Sequence, residues 1–225
     1  MKTSKRLRSA YENVDTMKIY DLSEAVKILK STATVKFDAT AELHIKLDID
    51  PRQADQQVRT TTSLPNGTGK TVRVVVVTSD NKWAEAKKAG AVEAGSVELI
   101  EKIAGGWTDF DVLVATPDMM RNLAKVARTL GPKGLMPSPK AGTVTTDITK
   151  TVGELVAGRL EFRNDKAGVI HTIFGKMSFS EDKLLENLEA MVKAVKDAKP
   201  SGVKGTYIKS MSINSTMGPG IKIVV

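Results

Sequence analysis

Apolar and polar residues alternate without a break between positions 39 and 49. Ala39, Ala41, Leu43, Ile45, Leu47 and Ile49 fall on one side; Thr40, Glu42, His44, Lys46 and Asp48 fall on the other. Successive side chains of an extended chain point to opposite faces. The pattern therefore predicts a strand with one buried and one wet face, as found in antiparallel or mixed sheets, and Asp50-Pro51 ends it. Before it, Leu22, Ala25, Val26 and Leu29 recur at i, i+3, i+4, i+7 behind Asp21, which predicts a helix with one apolar face. Residues 1–20 show no clear period.

A different pattern begins after Leu64-Pro65-Asn66-Gly67-Thr68-Gly69, which is turn chemistry and a plausible hinge. Val72 and Val74 to Val77 form a near-continuous apolar run, the mark of a strand buried on both faces. Helical stretches are predicted over 83–89 and 97–104, a second buried strand over 110–115, and a further helix from Asp118 to about Leu130. Strand and helix alternate, so residues 67–158 read as a small α/β domain with a mostly parallel sheet. From Gly158 onward the first style returns. Residues 160–163 and 169–174 read as a hairpin turning over 164–168. Leu184, Leu188, Met191, Val192 and Val195 then share one helix face, which Pro200 stops. The tail, 206–225, is extended and interrupted by Met217-Gly218-Pro219-Gly220.

One helix and one strand in residues 1–66 are too few to close a core. Residues 159–225 supply a helix, a hairpin and an extended tail. The economical arrangement is a discontinuous α+β domain made of 1–66 and 159–225, with 67–158 inserted as an α/β domain and the two crossing strands acting as a hinge.

Composition narrows the function classes. The 225 residues are 41% hydrophobic and 27% charged, and 34 Lys+Arg against 26 Asp+Glu leave a net charge of +8. A surplus of that sign favours polyanionic partners. It is also grouped. Lys2, Lys5, Arg6 and Arg8 precede the first acid. Arg121, Lys125, Arg128, Lys133 and Lys140 lie in an acid-free stretch, and Lys199, Lys204, Lys209 and Lys222 follow the last acid. Such groups are either solvated surfaces or phosphate contacts. There is no cysteine, which removes disulfides, thiolate metal sites and a cysteine nucleophile. No apolar run has the length of a signal peptide or a membrane span, so a cytoplasmic location is expected. Aromatic residues are only 4%. Proteins that stack unpaired bases usually carry clustered aromatics, so any nucleic-acid partner is expected to be folded RNA read through sugar and phosphate.

Two features invite other readings. Gly67-Thr68-Gly69-Lys70-Thr71 looks like part of a nucleotide-binding loop, but Leu64 stands where that motif needs its first glycine. The loop also precedes a strand instead of opening a helix. An α/β enzyme holding a small phosphorylated ligand there is the alternative function, and a regulatory DNA-binding protein is a third. His44 and His171 are the only histidines. Neither has a second histidine at metal-ligand spacing, and no nucleophile-elbow motif is present. Both are expected on strand faces with ordinary hydrogen bonds, and no catalytic residue, metal or cofactor is assigned.

Three stretches carry a resemblance. Ala33-Thr34-Val35-Lys36-Phe37-Asp38-Ala39-Thr40-Ala41-Glu42 runs on to Asp50-Pro51-Arg52. Leu130-Gly131-Pro132-Lys133-Gly134-Leu135-Met136-Pro137-Ser138-Pro139-Lys140-Ala141-Gly142-Thr143-Val144 forms the second, and Ser215-Thr216-Met217-Gly218-Pro219 the third. Together with Glu161-Phe162-Arg163-Asn164-Asp165-Lys166, the chain resembles the large-subunit ribosomal protein L-one family of the bacterial type along nearly its whole length. The resemblance implies a split α+β domain with an inserted three-layer, Rossmann-like α/β domain, and a non-enzyme. It implies binding to large-subunit rRNA at the mobile side stalk and assistance in releasing deacylated exit-site tRNA. It also implies repression of the protein's own operon mRNA through its leader, and a monomer within the cytoplasmic ribosome. The matching RNA-binding positions are Lys36, Phe37, Thr40, Glu42, Arg163, Lys166, Thr216, Met217 and Gly218. Lys133 and Lys140 are candidates for a secondary RNA contact. Without the resemblance, Phe37 and Met217 would be read as core residues.

Overall fold

The computed structural model describes residues 4–79, 82–203 and 205–225. Lys2 and Lys204, members of two of the basic groups, lie outside them. The chain divides into two compact units, Met1–Gly69 with Glu161–Val225, and Lys70–Leu160. The boundaries fall two to three residues after the crossings that turn chemistry predicts.

The first unit is built on a four-stranded antiparallel sheet. β1 (Thr40–Leu47) lies between β7 (Val169–Lys176) and β8 (Ile208–Ser215), and β9 (Ile221–Ile223) extends the far edge. The alternation in β1 is realised residue by residue. Ala41, Leu43, Ile45 and Leu47 are buried, while Thr40, Glu42, His44 and Lys46 are partly exposed. Each large aliphatic side chain buried this way is worth about 1.5–3 kcal/mol. Helices α2 (Leu22–Thr32) and α8 (Glu181–Asp197) contact these strands and each other. They turn Val26, Leu29, Leu184, Leu188, Met191 and Val195 inward. Ser180 caps α8 by accepting from the Lys183 amide at 3.4 Å, and Glu181 and Asp182 suit the positive end of the helix. Both helices lie on one side, so the Thr40–Glu42–His44–Lys46 face is left open.

Two details depart from the sequence reading. α1 (Lys5–Glu12) forms where no period was visible: Ser4 caps it, and only Ala10 is buried. The expected hairpin is not one. β6 (Arg159–Arg163) pairs with β2 (Arg59–Ser63) in a separate two-stranded sheet, while β7 pairs with β1. The reversal over 164–168 is present, closed by the Asp165 amide donating to the Val169 carbonyl at 2.8 Å. Beyond one bridge, Asn164 to Ile170, the strands separate. Ile170, Thr172 and Phe174 are buried on the face that meets the apolar side of β1, and the eight-residue β1 is the longer partner.

The second unit carries the parallel sheet β4 (Glu93–Gly95), β3 (Val74–Val77), β5 (Val112–Ala115), with β3 in the centre. All four valines of β3 are fully buried. Val75 and Val77 join Leu99, Ile103, Leu113 and Leu123 on one face. Val74 and Val76 join Ala86, Ile148 and Val152 on the other. The continuous apolar run is thus explained by cores on both sides. α3 (Trp83–Lys88) and α7 (Ile148–Ala157) serve one face, and α4 (Val97–Ala104) the other. The helix expected from Asp118 to Leu130 is a helical path in pieces: two short α segments, α5 (Met120–Leu123) and α6 (Ala127–Leu130), are preceded and joined by 3-10 turns.

Candidate nucleic-acid interface

One end of the open sheet face is closed by Thr216. Its amide donates to the Thr40 carbonyl at 3.0 Å, and the Thr40 amide donates to its hydroxyl at 3.2 Å. The same hydroxyl lies 3.4 Å from Glu42 Oε1. Glu42 stands directly opposite Asn214 across the β1–β8 ladder. Thr40, Glu42 and Thr216 are therefore brought together; spacing alone puts only Thr40 and Glu42 on one strand face, and Thr216 joins them from beyond β8.

The chain then turns sharply, with the Gly218 amide donating to the Ser215 carbonyl at 2.7 Å. A Cβ at Gly218 would meet Ser215 Oγ at 2.3 Å, so the missing side chain serves the turn itself. Met217 takes φ 65°, the only non-glycine residue with positive φ among those described, and is 68% exposed. Phe37, in the loop leading to β1, is 54% exposed. The core packing that hydrophobicity alone suggests for these two is absent. Lys36 is also exposed.

Sequence reasoning missed two cations at this end. Lys176 lies opposite Thr40 and donates to its hydroxyl at 2.9 Å. Arg6, on α1, donates to the Met217 carbonyl at 2.8 Å. Only the basic N-terminal cluster hinted at Arg6; nothing in its spacing pointed 211 residues downstream.

Arg163 and Lys166 lie elsewhere, on a groove of about 580 Å³ beside the β6–β7 turn, which Arg59, Asn164, Asp165 and His171 also line. Asp165 is held below the usual carboxylate range, first by the Val169 amide and further by the Ala167 amide and His171. Lys36, Arg163, Lys166, Lys133 and Lys140 take part in none of the ion pairs found among the described residues. Lys133 and Lys140 are exposed in the second unit, where Lys133 Nζ donates to the Thr108 hydroxyl at 2.6 Å.

The Gly67–Thr71 stretch is engaged structurally. The buried Asn187 side chain accepts from the Asn66 amide at 3.0 Å and donates to the Gly67 carbonyl at 3.0 Å. Gly69 has φ 73°, and a Cβ there would meet Lys176 Cγ at 2.7 Å. Lys70 pairs with Asp111 at 2.6 Å. Its amine is committed to a carboxylate, which speaks against its use as a phosphate-loop lysine.

An open polar sheet face edged by cations and two outward-turned apolar side chains suits a large polar partner better than a small substrate in a cleft. Residues 29–219 match the family described as Ribosomal protein L1p/L10e family. The chain is 54% identical over 220 residues to the large ribosomal subunit protein uL1 of Protochlamydia amoebophila, covering 98% of this chain and 93% of that one. It is 53% identical to the uL1 of a Synechococcus strain, covering 99% and 94%, and 52% identical to that of Chlamydia trachomatis, covering 99% and 96%. The chain belongs to the ribosomal protein L1 family, and is a ribosomal protein rather than an enzyme.

Proposed function

We propose that this protein is a structural constituent of the large ribosomal subunit, in the cytoplasmic ribosome, and binds large-subunit rRNA at the mobile side stalk. The RNA lies on the open face of the four-stranded sheet. Thr216 and Glu42 read ribose hydroxyls or base amino groups, Phe37 and Met217 pack against the sugar–base surface, and Lys36, Arg163 and Lys166 meet phosphates. The observation that carries this reading is Met217: a large apolar residue held at φ 65° and turned 68% into solvent beside Thr216. Such a residue costs free energy in the free protein and is explained by a partner that covers it.

In this reading, the discontinuous first unit is the RNA-binding domain and the second is a Rossmann-like insertion that bears a weaker contact through Lys133 and Lys140. Assistance in release of exit-site tRNA and repression of the protein's own operon mRNA follow from the family resemblance, and they use the same face.

The test is a salt titration of binding to a folded stalk fragment of large-subunit rRNA, with a DNA copy as control. Tight binding is expected to persist at high salt for RNA alone. Thr216→Val with Met217→Ala should weaken it by about 10- to 100-fold. Lys133→Ala with Lys140→Ala should reduce the logarithmic salt slope by about 1.5 if both lysines touch phosphate. Equal, salt-labile binding of RNA and DNA would overturn the main reading; an unchanged slope would remove the secondary contact.

A further inference from the structure

The groove of about 580 Å³ beside the β6–β7 turn adjoins the open sheet face. His171 belongs to both: it lines the groove, and it stands directly opposite His44 on the polar side of the β1–β7 ladder. A groove of this size falls among pockets that hold one small ligand, roughly 300–1,000 Å³. An RNA helix can pass over such an opening but cannot enter it. A single nucleotide turned out of the helix can.

The walls are held in place before anything binds. The Asn164 amide donates to the Val58 carbonyl at 3.1 Å, and its Oδ1 accepts from the Val58 amide at 2.8 Å. Its Nδ2 donates to the Asp165 carbonyl at 3.0 Å. Asp165 Oδ1 accepts from the Val169 and Ala167 amides at 2.7 Å and 2.8 Å, and Lys46 donates to the Ala167 carbonyl. The Nδ1 atoms of His44 and His171 are 2.8 Å apart with the rings edge to face, which fixes the His171 ring. A groove ordered in this way loses little entropy when a ligand arrives.

What the walls leave unused matches the three parts of a ribonucleotide. Arg163 and Lys166 are exposed and outside the ion pairs of the described residues, whereas Arg59 is tied to Glu161. Two such cations suit a phosphate. Asp165 Oδ2 accepts no hydrogen bond among the described residues, and His171 Nε2, 3.6 Å away, is too far to donate to it. A spare carboxylate oxygen beside two cations suits a ribose hydroxyl, the group that separates RNA from DNA. The His171 side chain is 55% exposed, and an imidazole ring is one of the platforms on which unpaired bases stack. One ring supports one base, in keeping with a chain that is only 4% aromatic. A small anion would use the two cations alone and leave the acceptor and the ring without a role.

We propose that the groove receives one unstacked ribonucleotide of the bound RNA, with its base on the His171 ring, a ribose hydroxyl donating to Asp165 Oδ2, and its phosphate between Arg163 and Lys166. The inference rests on the RNA-binding reading above. It gives the two separate groups of RNA-binding candidates different tasks: the open face carries the folded RNA, and the groove holds the one nucleotide that leaves the stack.

The experiment has two arms, both on the full chain. In the first, adenosine monophosphate is titrated against isotope-labelled protein and amide resonances are followed by NMR, with deoxyadenosine monophosphate and ribose phosphate as controls. Shifts are expected at Asn164, Lys166 and His171 with a millimolar Kd, while Thr216 to Gly218 stay unmoved. Each control should bind about three- to tenfold more weakly. In the second, affinity for the stalk RNA fragment is measured at constant salt. His171→Ala, on the solvent side of the sheet, should weaken it by at least about fivefold, and His171→Phe should stay within about twofold of the parent. Absent shifts, equal affinity for adenosine monophosphate and either control, or a His171→Ala variant that binds the RNA as the parent does overturns the proposal and leaves RNA binding intact. So does a His171→Phe variant as weak as His171→Ala. A parent chain that does not bind the RNA overturns the RNA reading and this inference with it.

Discussion

Met217 shows how one residue separates stability from function. Its left-handed backbone is disfavoured for any side chain with a Cβ, by about 1 kcal/mol relative to glycine. Met217→Gly is therefore expected to leave stability unchanged or raise it by up to about 1 kcal/mol, while weakening RNA binding through loss of the exposed side chain. Urea unfolding and RNA titration on the same variant check this. A fall in both would show that Met217 holds the turn rather than the partner. The sequence places Met217, Thr216 and Gly218 in one motif, and the turn gives Gly218 a structural requirement of its own. Ser215 occupies the space a side chain at 218 would need.

Asn187 connects elements that are distant in the chain. It is fully buried on α8, and its amide donates to both the Gly67 and Phe174 carbonyls and accepts from the Asn66 amide. It ties the turn that follows β2 to the end of β7. Asn187→Ala leaves those groups unpaired and is expected to cost about 2–4 kcal/mol in urea unfolding; a change below about 1 kcal/mol would mean water replaces the amide. Nothing in the period of α8 marks this position, because a polar residue on an apolar helix face reads as an interruption. The reverse happened with α7. Ile148, Thr151, Val152 and Leu155 are buried at helical spacing, and Asp147 accepts from the Lys150 amide at 3.3 Å. The cap and the period are both legible in the sequence. The hairpin is a third kind of case. Its turn is legible in the sequence, but strand partners are chosen by which apolar faces meet, and β1 lies far from β7 along the chain.

At the scale of the whole molecule, charge sets the response to acid. Asp111 is held down to about 2 by Lys70 first, and also by the amide and guanidinium of Arg73. A carboxylate with a depressed folded value contributes stability above its ordinary value of 3.8, and that contribution is lost as pH falls from about 4 to about 2. With solvent screening it amounts to about 1–2 kcal/mol. Asp111→Asn should lower stability at neutral pH by that amount and flatten the acid limb of the stability curve. Unfolding at pH 7 and at pH 2.5 checks both; an acid limb as steep as the parent's would place the loss elsewhere.

The sequence by itself determined the local periods: the half-wet β1, the doubly buried β3, the amphipathic α2 and α8. It also determined the +8 surplus and the motifs that carry the family resemblance. These are readable because side-chain direction repeats at 2 or 3.6 residues along the chain, whatever the chain packs against. Only the tertiary structure decided that β7 and β8 flank β1, that Arg6 reaches Met217, and that Phe37 and Met217 face solvent. It alone set His44 against His171. These arrangements depend on contacts between residues one to two hundred positions apart. No local period encodes them, because they arise when separate apolar faces close on a shared core and carry their polar faces with them.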